Sequence, residues 1–143
     1  LNYFRDISTF GGCTAGPAAA IENMKIIERE NLLENTINMG DYMLDQLSAL
    51  QDKHNAIGQV RGKGLFLGAE LVTDRATKEP LPEKTVGAIV ADCSKNGVII
   101  GATNRSIPGQ NNTLCFSPAL ICTKDDINQI VEAVDGALGR VLG

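Results

Sequence analysis

Apolar positions recur at helical spacing through the first third of the chain. Ala20, Met24 and Ile27 fall on one face, with Glu22, Lys25 and Glu28 turned away from it. A second stripe follows in Leu33, Ile37, Gly40, Leu44 and Leu47, flanked by Leu32, Met43 and Leu50. Its opposite face carries Glu34, Asn38, Asp41, Asp45 and Asp52. The register shifts near Glu30-Asn31, which predicts two helices, or one bent helix, ending by about Lys53. Thr14 is placed to cap the first of them. Pro17 then falls in the first turn, where its missing N–H costs nothing.

The period changes after Gly58. Leu65, Leu67, Ala69 and Leu71 alternate with Phe66, Gly68, Glu70 and Val72, the pattern of a strand with one buried face. Arg61-Gly62-Lys63-Gly64 stands just before it. It has no Ser or Thr after the Lys and no helix following, so it reads as a glycine-bearing bend or bulge within a strand pair, not a phosphate loop. Thr73 to Pro82 is polar and reads as a surface loop. Val86, Ile89, Val90 and Cys93 predict a short helix that Asn96-Gly97 ends in the left-handed cap position. Val98-Ile99-Ile100 reads as a brief buried strand and Thr113 to Phe116 as another, with a long irregular loop from Gly101 to Asn112 between them. Thr123 and Asp126 form a variant capping box. It opens a last amphipathic helix bearing Ile127, Ile130, Val131, Val134, Leu138 and Val141. Few strands with helices on one side of them predict an α+β fold, not a doubly wound sheet.

Composition narrows the function classes. The 143 residues are 43% hydrophobic and 21% charged, an ordinary globular balance with room for one core. A net charge of -4, without any Lys/Arg run, argues against nucleic-acid and membrane-surface partners. Cys13, Cys93, Cys115 and Cys122 form no C-x-x-C pair, and His54 is the only histidine. They read as reduced, buried thiols in a cytoplasmic protein, with no metal site. The chain opens Leu1-Asn2-Tyr3, as an excised piece of something longer would.

One stretch carries candidate chemistry. Ser8-Thr9-Phe10-Gly11-Gly12-Cys13-Thr14 leads straight into an alanine-rich helix. First-turn amides have no intrahelical partner and the helix dipole favours negative charge there, so hydroxyls beside a glycine pair suit a phosphate. The same residues also suit a loop that merely caps a packed helix.

A wider pattern lies around this turn. Ser8-Thr9-Phe10-Gly11-Gly12, then Ala18-Ala19-Ala20 and Ile26-Ile27-Glu28-Arg29-Glu30, resembles the class III (omega-type) pyridoxal-phosphate aminotransferases. Val60-Arg61-Gly62-Lys63-Gly64-Leu65 with Glu70-Leu71-Val72 is similar to that family's "RG-x-G-L…EL" strand, and Ser117-Pro118-Ala119-Leu120-Ile121 to its "PPLI" segment. The match is collinear over nearly the whole chain. Gly97-Val98-Ile99-Ile100-Gly101 and Pro108-Gly109-Gln110-Asn111-Asn112 resemble the taurine–pyruvate or beta-alanine–pyruvate branch. Cys13-Thr14 departs from the family's usual "HP" or "NP".

The resemblance implies the C-terminal part of such an enzyme. Residues 1–53 would be the end of the large cofactor domain with its connecting helices, and 54–143 the small α+β domain, with helices on one side of a mostly antiparallel sheet. It implies a homodimer in which Ser8 and Thr9 meet the pyridoxal 5'-phosphate of the neighbouring subunit. Arg105 is the candidate to grip a substrate carboxylate, although it stands later than the family's arginine and also reads as a solvated loop residue. The Schiff-base lysine and the acid at the pyridine nitrogen lie upstream in the family. None of Lys25, Lys53, Lys63, Lys78, Lys84, Lys95 or Lys124 stands in that context. The chain therefore carries no catalytic residue of its own and is expected to be inactive alone, with the turn empty. The parent would move an amino group from an omega-amino acid or amine to a keto acid. The alternative is an inert, independently folding interaction or dimerisation module.

Overall fold

A computed structural model of the chain describes residues 8–105 and 107–143. They form two compact units, Leu1–Leu33 and Glu34–Gly143.

In the first unit a glycine turn runs into α1, Ala15–Arg29. No residue of α1 is buried, and Ile21 and Met24 are more than half exposed. The helix is laced by exposed pairs of Glu22 with Lys25 and Arg29, which stabilise it only slightly. It ends where Asn31 takes φ 51, a left-handed conformation that asparagine tolerates better than most residues. The stretch that could have been one bent helix is thus two, the second being α2, Leu32–Lys53.

The second unit is built on a sheet whose described pairings are all antiparallel. Its strands are β1 Ile57–Lys63, β2 Phe66–Asp74, β3 Glu79–Pro80, β4 Gly101–Ala102 and β5 Thr113–Phe116. The order is β1-β2-β5-β4, with β3 paired to β2. Alternation in β2 puts Leu67, Ala69 and Leu71 on one face, and the register sets Ala69 opposite Leu114 and Leu67 opposite Phe116. That face is buried under α2, α3 (Glu83–Lys95) and α4 (Lys124–Leu142), through Met43, Leu47, Ile89, Val134 and Leu138. The other face shows Arg61, Phe66 and Glu70, with an Arg61–Glu70 ion pair of 2.6 Å. This is the expected α+β layer.

The glycine-bearing bend is a hairpin turn. Lys63 pairs with Phe66, leaving Gly64 and Leu65 between them, and Gly64 has φ 53, the left-handed value a type II′ turn gives its first central residue. Gly40 of α2 lies flush against that turn: a Cβ at Gly40 would sit 2.4 Å from the Gly64 carbonyl. This close approach selects the inner face of α2, which is Gly40, Met43, Leu47 and Leu50. The expected stripe was rotated, because Leu33 and Ile37 are 69% and 55% exposed.

Three further expectations are corrected. Val98-Ile99-Ile100 is not a strand. The Val98 N–H closes the end of α3 on the Cys93 carbonyl at 3.0 Å, Ile99 is exposed, and pairing with β5 begins only at Gly101. Part of the 73–82 loop enters the sheet as β3. Among the four free cysteines, Cys93 and Cys122 are buried and their thiols are pushed up by burial, but Cys13 is exposed. The end of α3 at Asn96, with Gly97 at φ 85, and the full Thr123–Asp126 capping box of α4 match the pattern read from the sequence.

Side chains from distant positions fasten the ends of these helices. The last carbonyls of a helix have no intrahelical partner. Arg75 supplies one at the end of α2, donating to the carbonyls of Gln51, His54, Asn55 and Ile57. Lys53 and His54 both meet the Asp135 carboxylate of α4, at 2.6 and 2.5 Å. Arg140 of α4 holds Asp92 of α3 through Nε and Nη2. No helix among the described residues is long and apolar enough to cross a membrane.

Candidate functional site

The turn read as an anion site closes on its own backbone. Gly11 N–H donates to the Ser8 carbonyl at 3.2 Å and Cys13 N–H to the Phe10 carbonyl at 3.1 Å. Gly12 has φ 84, a conformation that favours glycine, and a Cβ at Gly11 would stand a tight 3.2 Å from that of Ser8. Ser8, Thr9 and Phe10 are exposed. Thr14 occupies the cap position of α1 but makes no side-chain cap bond, contrary to expectation. Its backbone is already helical, at φ -79 and ψ -21, whereas a capping hydroxyl needs extended backbone.

What remains at the mouth of α1 is a set of donors without an anion of their own. Among the described residues nothing accepts from the first-turn amides of Ala15 and Gly16, and that turn holds no acidic side chain. The first carboxylate after Ser8 is Glu22, two turns into the helix. Hydroxyls, free amides and the positive end of a helix dipole fit a phosphate monoester. Among the described residues no cation is offered, so a phosphate held there would take its counter-charge from elsewhere.

Arg105 lies in the other unit, on the segment joining β4 to β5. It is exposed, and no hydrogen bond or ion pair of its side chain is found among the described residues. The segment itself is tied at both ends. Thr103 N–H donates to the Thr113 carbonyl at 2.9 Å, and Thr113 N–H returns to the Thr103 hydroxyl at 3.2 Å. Asn112 is buried, with Nδ2 donating to the Leu71 carbonyl at 2.6 Å, while Leu71 N–H donates to the Asn112 carbonyl at 2.8 Å. Glu83, at the start of α3, accepts from Asn111 Nδ2 at 2.9 Å and from Gly109 N–H at 2.8 Å. Those two bonds, Asn111 first, hold its carboxyl below the ordinary glutamate range. Sequence reasoning missed Glu83 and Asn112, since a first-turn acid and a loop asparagine carry no local mark of a partner 26 or 41 residues away. It also missed Arg75.

Residues 5–138 match the family model for class III aminotransferases. The chain belongs to that family. A hypotaurine/taurine–pyruvate aminotransferase of Paracoccus denitrificans is 67% identical over 141 residues, covering 99% of this chain and 31% of that protein. A taurine–pyruvate aminotransferase of Rhodobacter capsulatus is 62% identical over the same share of each. Among solved structures, a Bacillus anthracis aminotransferase superposes with a TM-score of 0.91 at 39% identity, over 96% of this chain and 31% of that one. An amine transaminase from an uncultivated Pseudomonas species, in its pyridoxal-phosphate-bound form, gives 0.84 at 30% identity, over 94% and 29%. This class III chain therefore spans about a third of the length of the relatives it matches. The family depends on pyridoxal phosphate, and the donor set at Ser8 and Thr9 fits that cofactor's phosphate.

Proposed function

We propose that this chain is the C-terminal part of an omega-type transaminase that moves an amino group from an omega-amino acid or amine, taurine and hypotaurine among them, to pyruvate. The 67% identity across 99% of the chain to a hypotaurine/taurine–pyruvate aminotransferase carries this reading. Residues 1–53 then close the large domain and its connecting helices, and 54–143 form the small domain. Ser8 and Thr9 donate hydroxyl hydrogen bonds to the cofactor phosphate of the neighbouring subunit in a homodimer. Arg105 pairs with the carboxylate or sulfonate of the substrate, for which a planar, permanently charged fork is suited. Pyridoxal phosphate, when bound, supplies the electron sink for the exchange of the amino nitrogen. The lysine and the acid that work on it belong to the rest of the parent, which this reading places in the cytoplasm.

The test compares the parent with the chain. Purified parent is expected to form alanine from pyruvate with taurine or beta-alanine as donor, and the 143-residue chain alone to form none. Thr9→Ala in the parent is expected to weaken cofactor retention about tenfold, the worth of one hydrogen bond to a charged group. Turnover by the chain alone, or none by the parent, overturns the reading.

A second reading rests on the Glu34–Gly143 unit, whose core runs from Met43 to Leu138 without the first unit. Such a unit suits an inert module that folds alone. A cooperative urea transition of the monomeric chain supports that, and aggregation argues against it.

A further inference from the structure

We infer that Glu83 is a positioning residue for substrate binding: by holding Gly109 and Asn111, it sets the loop that presents Arg105. The inference rests on the proposed role of Arg105 and adds a residue from another element to it. The segment joining β4 to β5 is fixed twice at its base, through the Thr103–Thr113 pair and through buried Asn112 on Leu71. Between those anchors the Gln110 N–H closes a turn on the Ile107 carbonyl at 2.9 Å, and Glu83 ties that turn to α3. With Gly109 and Asn111 both bonded to one carboxylate oxygen, Arg105 stands between two held positions, two residues after Thr103 and four before Gly109.

The geometry makes this a directed restraint. Glu83 is the first residue of α3, and the packing of Val86, Ile89 and Cys93 fixes that helix in the core. The carboxylate therefore stands on a rigid element, and it accepts bonds from one main-chain amide and one side-chain amide. A groove of about 360 Å³ lies between α3 and the loop, bounded by Glu83, Val86, Val90, Thr103, Asn104 and Asn111. The loop therefore stands off the helix, and the Glu83 bonds bridge it there. An arginine that must meet a small anion through two parallel bonds depends strongly on where its backbone sits. A displacement of about 1 Å can cost on the order of 100-fold in a positioned site. Glu83 itself touches no substrate in this scheme, so it acts on KM through Arg105 and leaves the chemical step alone.

The test uses the full-length parent with Glu83→Gln, Glu83→Asp, Arg105→Ala and the Glu83→Gln/Arg105→Ala double variant. Hydrogen exchange in wild type and Glu83→Gln reads the restraint directly, and faster exchange at Gly109 is expected with the melting temperature unchanged. Steady-state kinetics with pyruvate and with taurine read the consequence. The KM values are expected to rise on the order of tenfold in Glu83→Gln, with kcat within about twofold and Glu83→Asp in between. In the Arg105→Ala background, Glu83→Gln is expected to add nothing, since the two act on one contact. Unchanged exchange at Gly109, an unchanged KM, or a KM rise that persists without Arg105 each overturns the inference while the transaminase reading stands. A wild-type parent without transamination overturns that reading and the substrate role of Glu83 with it.

Discussion

The two compact units of this chain use similar residues to opposite ends. In Leu1–Leu33, no residue of α1 is buried, and among the described residues its turn is held by hydrogen bonds between neighbours in sequence. In Glu34–Gly143, the sheet and three helices close over a shared core, and the irregular segments are held by side chains from far along the chain. The difference separates a unit with a core of its own from a helix with no buried residue. Apolar groups such as Phe10, Ile21 and Met24 stand exposed on the first unit, where burying each would be worth about 1.5–3 kcal/mol. The second unit also leaves Ile37, Phe66 and Ile99 exposed, but it gains that term many times over in a core of its own.

Truncating the core should give the largest effect. Leu71→Ala is expected to cost the isolated chain about 2–5 kcal/mol in urea unfolding, since Leu71 is fully buried beside Ile57. Ile21→Ala on α1 should stay within about 0.5 kcal/mol. Equal losses at the two positions would abolish the distinction between the units. A smaller effect is expected at the end of α2. Arg75→Ala strips a shared cation from four carbonyls and should cost about 1–2 kcal/mol, with hydrogen exchange rising first around Gln51 and Lys53.

The finest test is acid. Asp126 is held below the ordinary aspartate value of 3.8 by the backbone and hydroxyl of Thr123, and Asp135 by His54 and then Lys53. A carboxyl whose folded value is depressed contributes stability above its unfolded value and loses it as pH falls through the folded one. The urea midpoint of the chain should therefore hold on the acid side down to about pH 4 and fall below it. Asp126→Asn and Asp135→Asn should each flatten part of that fall. An unchanged slope in both variants would show that these ties do not act in the second unit.

Much of the second unit could be read from the pattern of residues, and the reasons are local. The alternation in β2, the Asn96-Gly97 stop and the Thr123–Asp126 box are each set by neighbours within a few positions. Where tertiary structure decides, the reading failed. The inner face of α2 runs where Gly40 meets Gly64, so Gly40 and Leu47 of the expected stripe turn inward with Met43 and Leu50, while Leu33 and Ile37 stand exposed. The strand expected at Val98–Ile100 gave way because the Val98 amide was already committed to the end of α3. The same division holds for the candidate site. The turn around the glycine pair could be read because it closes on adjacent backbone. Glu83 and Asn112 could not, since what each binds is fixed only by folding.

The two-point mooring of the 103–112 segment makes its tip a replaceable cassette. Residues added or removed between Asn104 and Ile107 leave Thr103 on Thr113, Gln110 on Ile107 and Gly109 on Glu83, so reach and shape there can vary without disturbing the sheet. A single residue inserted between Gly109 and Asn112 would throw Asn111 off Glu83 or Asn112 off Leu71. Length changes that the fold tolerates therefore belong on the near side of Gly109.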